Sequence, residues 1–275
     1  IVVSDESAGY RPEMEWIAEI LREQGTLAKV VHPEDLQVRP SGVFLGDDRQ
    51  DVVYRFLELF DYEQVPIMRE LAMAVEAGTV VVTPPMRPFQ EEKLSLGLFW
   101  HHLLEDFWAE NLSQADLKLL RRIIPKTWIL DPSKLPPGAV LDGPAIAGRS
   151  INSWRDLASA TKKERELVIK ASGFHETAWG ARSVVIGSDA SSEEWGTALD
   201  HALTTFPNPV QVLQEFRKPV RLTHDVYDDA GEISSMKGRL RLSPYYFVKE
   251  GQAQLSGALA TFCPADKKII HGMQD

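Results

Sequence analysis

The sequence predicts an α/β protein in two parts. Residues 1–88 form an α/β domain with a mostly parallel sheet, and residues 89–275 form an α+β domain with an antiparallel sheet. Three observations carry this. From Ile1 to Thr83, short β-branched runs alternate with helical periodicity, the order that builds parallel sheets with flanking helices. The pattern changes after Pro84-Pro85. From Arg217 to Ala260, strand-like runs flank a turn at Asp228-Asp229-Ala230-Gly231, as in an antiparallel ladder.

Ile1 to Ser4 reads as a buried strand, followed by a loop from Asp5 to Gly9. The spacing predicts a helix over 13–24 with Trp16, Ile17, Ile20 and Leu21 on its apolar face and Gly25 as its C-cap. Ala28 to Val31, Val43 to Leu45 and Val52 to Phe56 read as further strands. Met68 to Glu76 is helical, Gly78 ends it, and Thr79 to Thr83 is the last strand before the prolines. Next come a long helix over 91–110 with Leu94, Leu98, Leu104 and Trp108 on its apolar positions, and a shorter one over 115–123. An extended piece begins at Ile124. Residues 132–148, rich in Pro and Gly, read as a surface loop. A helix over 154–163, strands at Leu167 to Ile169 and Ser183 to Ile186, a helix over 192–205 and a strand at Val210 to Phe216 complete the reading.

Composition excludes some functions. The net charge of −10 argues against nonspecific nucleic-acid binding, which needs a basic surface. No apolar run is long enough for a transmembrane helix and there is no signal peptide, so no membrane partner is expected. Cys263 is the one cysteine; it permits no intrachain disulfide and fits a reducing, cytoplasmic setting. The chain opens on Ile-Val-Val-Ser without an initiator methionine, so it reads as a piece of a longer protein. The histidines carry no metal-ligand spacing.

The candidate chemistry centres on Glu166 to Gly187, which reads strand, loop, strand. The first strand ends on Lys170, and the loop carries Ser172, Gly173, Gly180, Ala181 and Arg182. A lysine at a strand end, then glycines that let backbone N–H groups approach an anion, suits a polyphosphate; a hairpin with a surface lysine is the alternative. Val210 to Phe216 begins about 40 residues after Lys170 and ends on Gln214, Glu215 and Phe216, placed to read a base or simply to be solvated. Thr83 to Lys93 turns a proline corner into a helix entrance where Arg87 or Lys93 faces an anion or solvent. Arg55 ends an apolar strand, facing a ligand crevice or paired with a nearby carboxylate. Arg239 and Arg241, two apart, share one face of a strand and suit phosphate or carboxylate, or are half-exposed strand residues.

Taken in order, Val53-Tyr-Arg-Phe, Pro84-Pro with Glu-Glu-Lys93, Val-Ile-Lys170 with Gly180-Ala-Arg-Ser-Val184, and Leu-Gln214-Glu-Phe216 resemble the circularly permuted ATP-grasp proteins of the glutathionylspermidine-synthase-like group. The resemblance spans residues 1–260 approximately. It implies a Rossmann-like N-terminal domain followed by an ATP-grasp domain. It implies ATP and Mg²⁺ as cofactors, and an unidentified carboxylate and amine as small-molecule partners. Lys93 and Lys170 would contact the phosphates, with Ser172, Gly173, Gly180 and Ala181 in a flap over them. Gln214, Glu215 and Phe216 would line the adenine site. Arg55 would meet substrate, and Arg239 and Arg241 would serve catalysis. A lysine about 4 Å from a phosphate charge gains on the order of 4 kcal/mol at an effective dielectric near 20.

The chain departs from that pattern twice. The family's acid and Glu-x-Asn metal element precedes the segment that opens this chain, so no Mg²⁺ ligands are assigned. The family's late Gly-Ala-Leu-x-Arg stretch reads Gly257-Ala-Leu-Ala-Thr261 here. The expected activity is an ATP-dependent carboxylate–amine ligase. The alternative is a catalytically degenerate nucleotide-binding or partner-binding protein. A Rossmann-like transferase is a third reading, against which stands the lack of G-x-G-x-x-G.

Overall fold

In a computed structural model the chain is mixed α/β, and its described residues form one three-stranded parallel sheet and three antiparallel sheets. The structure describes residues 1–57, 59, 62–172, 175, 177–178, 181–228, 230–267 and 270. It divides into two compact units, residues 1–95 with 172–176, and residues 96–171 with 177–275.

In the first unit, β1 (Val2–Val3), β5 (Val52–Phe56) and β6 (Val81–Thr83) form the parallel sheet in the order β1-β5-β6. The segment expected to be a strand at 28–31 makes one parallel bridge, Val31 to Val2, on the other edge of β1. The expectation of one mostly parallel sheet is corrected by a separate antiparallel meander, β2 (Leu36–Arg39), β3 (Gly42–Leu45) and β4 (Asp48–Gln50). Short polar turns at Pro40-Ser41 and Gly46-Asp47 make this possible, since they can join only antiparallel neighbours.

Helix α1 (Arg11–Glu23) buries Met14 and Ala18, with Ile17 and Leu21 half-buried beside them. Trp16, expected on that face, is 62% exposed. The buried stripe is the i, i+3, i+4, i+7 set starting at Met14, and Trp16 lies off it. Gly25, at φ 87°, ends the helix as expected: Thr26 N–H returns to the Leu21 carbonyl at 2.8 Å. Helix α2 (Ile67–Glu76) ends the same way at Gly78. Its Met68, Leu71 and Ala74 pack with Leu36, Val43, Val53 and Val82 into the core of this unit.

The expected continuous helix over 91–110 is broken into α3 (Leu94–Trp100) and α4 (Glu105–Asn111). His101 stands between them in extended conformation, and its side chain accepts from Leu103 N–H and starts a new turn. Helix α5 (Gln114–Ile123) follows, capped by Ser113.

The second unit is built on an antiparallel sheet in the order β7-β10-β8-β9: β7 (Thr127–Ile129), β8 (Leu167–Ala171), β9 (Val185–Ile186) and β10 (Gln211–Glu215). Helix α6 (Ser192–Thr205) covers one face, placing Trp195, Leu199 and Leu203 against Leu167, Ile169 and Leu213. The helix expected over 154–163 is only a 3₁₀ stretch, Trp154–Ser159. Its end is held open by Glu164, whose carboxylate accepts from the Thr161 hydroxyl at 2.7 Å, Thr161 N–H at 2.8 Å and Ala147 N–H at 2.6 Å.

Those bonds give the first prediction. The Thr161 hydroxyl, then the Ala147 and Thr161 backbone N–H groups, hold the Glu164 carboxyl down to about 2 from a usual 4.5. A carboxyl with a depressed folded pKa stabilises the fold above its unfolded value and loses that effect as pH falls through the folded one. The contribution is therefore full above about 4.5 and disappears toward about 2. Melting temperature followed against pH should fall less steeply across this window in Glu164→Ala than in the parent; parallel curves would contradict the assignment.

A second antiparallel sheet, β11 (Arg221–Tyr227), β12 (Ile233–Lys249) and β13 (Gln252–Pro264), completes this unit. Between β11 and β12, where the sequence predicts a turn, Gly231 N–H donates to the Asp228 carbonyl at 2.9 Å and Asp228 N–H to the Glu232 carbonyl at 2.9 Å. Among the described residues no helix is long and apolar enough to cross a membrane.

Candidate functional site

Strand alternation places the key side chains. On β8, Leu167 and Ile169 enter the core under α6, so Val168 and Lys170 point to the opposite face. Opposite Val168 stand Gln214 on β10 and Ile186 on β9. These residues floor a cavity of about 340 Å³. The linker after β10 supplies Glu215, Phe216, Arg217 and Pro219, β12 supplies Leu240 and Arg241, and Val184 and Ile270 close the sides. Lys170, Gln214, Glu215, Phe216 and Arg241, picked out separately along the sequence, thus line one space. Its wall is largely aliphatic, with a few polar groups at the edge, the usual make-up of a small-molecule site.

The polar groups are ordered by one relay. Lys170 Nζ donates to Gln214 Oε1 at 2.9 Å. The other end of that amide, Nε2, donates to Thr127 Oγ1 at 2.8 Å, and the Thr127 hydroxyl donates to the Pro125 carbonyl at 2.9 Å. The Thr127 proton is spent on Pro125, so its oxygen can only accept from Gln214. The amide is thereby oriented with its oxygen toward the lysine. Gln214 and Thr127 are buried, and the relay satisfies them. Sequence reading missed Thr127. The available signal was a hydroxyl on an apolar strand directly after Pro125-Lys126, a weak one until its neighbour across the sheet is known.

Glu215 pairs with Arg217 at 2.7 Å. Behind Lys170, Ala171 N–H donates to Ser183 Oγ at 3.0 Å, tying together the two ends of the loop. Ala181 lies in that loop at φ 60°, the left-handed region that disfavours a side chain. Gly173 and Gly180 lie outside the described residues.

The two arginines of β12 differ. Arg239 is buried and its Nε donates to the Ala265 carbonyl at 2.8 Å. Arg241 is exposed, lines the cavity, donates to the Ile270 carbonyl at 2.8 Å, and reaches Thr261 Oγ1 at 3.3 Å. Thr261 is its cross-strand partner in the ladder. Arg241 therefore brings a guanidinium to the point where the expected late arginine is replaced by threonine.

The remaining candidates belong to the first unit. Ser172 is buried; its hydroxyl accepts from Leu94 N–H and donates to Glu92, both at 2.7 Å, and so fastens the start of α3. Lys93 precedes α3 in a turn and is half-buried. Arg55 shares the core-facing side of β5 with Val53, and its side chain is 3% exposed. It donates to the Pro84 and Leu57 carbonyls at 2.9 Å and to Pro85 at 3.1 Å, and pairs with Glu91. Of its two readings, the pairing with a local carboxylate is the one found.

Among the described residues, no group of three or more His, Cys, Asp or Glu is arranged to hold a metal ion. No protein-family model matches the chain. No curated protein matches its sequence significantly.

Proposed function

We propose that this protein is an ATP-dependent carboxylate–amine ligase of the circularly permuted ATP-grasp type, with a Rossmann-like N-terminal domain over 1–88 and the nucleotide domain over 89–275. The single observation that carries the reading is the convergence of Lys170, Gln214, Glu215, Phe216 and Arg241 on one aliphatic-walled cavity. Val168, Ile186, Leu240 and Phe216 offer a slot for a flat base. The Gln214–Glu215–Phe216 linker offers backbone and side-chain groups to its edge. Lys170, aimed by Gln214 and Thr127, would meet the phosphates, and Arg241 the charge that develops on the transferred phosphoryl group.

In the reaction, a carboxylate oxygen of the first substrate bonds to the terminal phosphorus of ATP as the bond to ADP breaks. The amine then attacks the acyl carbon and releases phosphate. Mg²⁺ is implied by the family resemblance, but the described residues form no site that fits it.

A degenerate, ATP-binding form is the second reading, favoured by Thr261 in place of the late arginine. Saturating ATP should raise the melting temperature by several degrees, since ligand at about 100 times Kd adds roughly 2.7 kcal/mol. Absence of any shift in the full-length protein contradicts both readings. ADP release on adding a panel of acids and amines selects the ligase, and binding without release selects the degenerate form.

A further inference from the structure

The ladder of β12 and β13 runs on past the end of β11, which stops at the pair Arg221–Arg239. From Leu240 outward, the described residues form a two-stranded arm. Two strands alone are marginally stable in water and need cover on one face.

The register gives this arm one apolar face. Leu242 stands across from Ala260, Pro244 from Ala258, Tyr246 from Leu255 and Val248 from Ala253, all on one side by the period of two. The other side mixes Ser243, Phe247 and Lys249 with Gln254 and Gln252. A bulge keeps the two sides apart in character. The register shifts between Tyr245 and Tyr246, leaving Ser256 without a cross-strand partner. Without that extra residue, Leu255 and Ala253 would fall on the face opposite to Ala258 and Ala260.

The chain leaves this face open. Leu242, Tyr246, Val248 and Leu255 are each at least 60% exposed, and Pro244 and the three alanines are exposed as well. No charged residue occurs at 242–248 or 251–265, so covering the face takes no charge out of water. A contiguous exposed apolar patch of this kind marks an interaction site.

The relief of the face identifies the occupant. The larger side chains Leu242, Pro244 and Val248 on β12 each lie beside an alanine on β13. The β12 side is therefore a ridge and the β13 side a trough. A second copy, turned about a two-fold axis along the arm, lays its ridge in this trough and receives this ridge in its own. Such a pairing is isologous and closes at two copies. The two faces would pack about 10 Å apart, as stacked sheets do. The four large side chains and their flanking residues offer on the order of 500 Å² per copy, about 1,000 Å² for the pair, which reaches the low end of specific interfaces.

We propose that the apolar face of the β12–β13 arm binds the same face of a second copy of this chain, giving a reversible dimer in the micromolar range. This surface stands without the nucleotide reading.

Sedimentation of the whole chain, from low to high micromolar concentration, tests it. The mass should rise from one chain to two and stop there. Ala258→Arg, in the trough, should raise the dissociation constant about 100-fold, because it places an unpaired charge in the interface. Its melting temperature in dilute solution should match the parent's, since the position is exposed in the single chain. Tyr246→Ser, on the ridge, should weaken pairing at least about tenfold. Phe247→Ser, on the opposite face, should change it less than about threefold. A mass of one chain throughout, growth beyond two chains, pairing of Ala258→Arg and Tyr246→Ser like the parent, or equal weakening by Phe247→Ser overturns the proposal. A protein that stays monomeric and binds neutral phosphatidylcholine vesicles through this face overturns it in favour of a lipid surface.

Discussion

If the proposed function holds, Lys170→Met is expected to weaken ATP binding by about 10- to 100-fold, the loss that follows when one charge-assisted hydrogen bond of roughly 1.5–3 kcal/mol is removed. Methionine keeps most of the lysine stem on the cavity face of β8, so the change isolates the ammonium. The lysine is set in place by a chain of bonds ending at the Pro125 carbonyl, which reduces the ordering it must undergo when phosphate arrives. Calorimetric titration with ATP provides the measurement, and melting without nucleotide provides the control. A variant that melts normally and binds ATP as tightly as the parent removes Lys170 from the nucleotide site.

Arg55→Met has the largest expected effect on stability, a loss of about 3–5 kcal/mol, as when one partner of a buried ion pair is deleted. The guanidinium joins three backbone carbonyls, at Leu57, Pro84 and Pro85, to the carboxylate of Glu91. Glu91 in turn accepts from Leu59 N–H at 3.1 Å. Without the guanidinium, the Pro84 and Leu57 carbonyls lose the side-chain donor they have here, the Pro85 carbonyl keeps only Arg87 N–H, and the partly buried Glu91 carboxylate keeps only Leu59 N–H. Urea unfolding should show a lowered midpoint with an unchanged slope. A change below about 1 kcal/mol, the worth of an exposed pair, would mean that these bonds are exchanged freely with water.

Parts of this architecture were readable along the chain because they depend on neighbours in sequence. The two helix ends at Gly25 and Gly78 follow from the left-handed conformation that glycine tolerates. Helix α6 follows from Ser191 and Glu194, which cap its first turn reciprocally. Strand β8 follows from its β-branched run, and Lys170 on its cavity face follows from the period of two. The readings that failed also have local causes. The 91–110 run keeps an apolar pattern across a break that His101 makes with its own side chain. The 154–163 stretch has helical composition, but Glu164 gives the backbone other partners.

Residue type and period were enough to nominate Lys170, Gln214, Glu215, Phe216 and Arg241 one by one. Their meeting in a single cavity, and the commitment of Arg55 and Ser172 to holding the first unit together, came with the packed chain. Gln214 finds Lys170 across 44 residues and Thr127 across 87, and Ser172 finds Glu92 across 80. A local pattern reports which way a side chain points from its own strand. The partner that satisfies it is chosen by strand order and register, which depend on how the buried faces pack together.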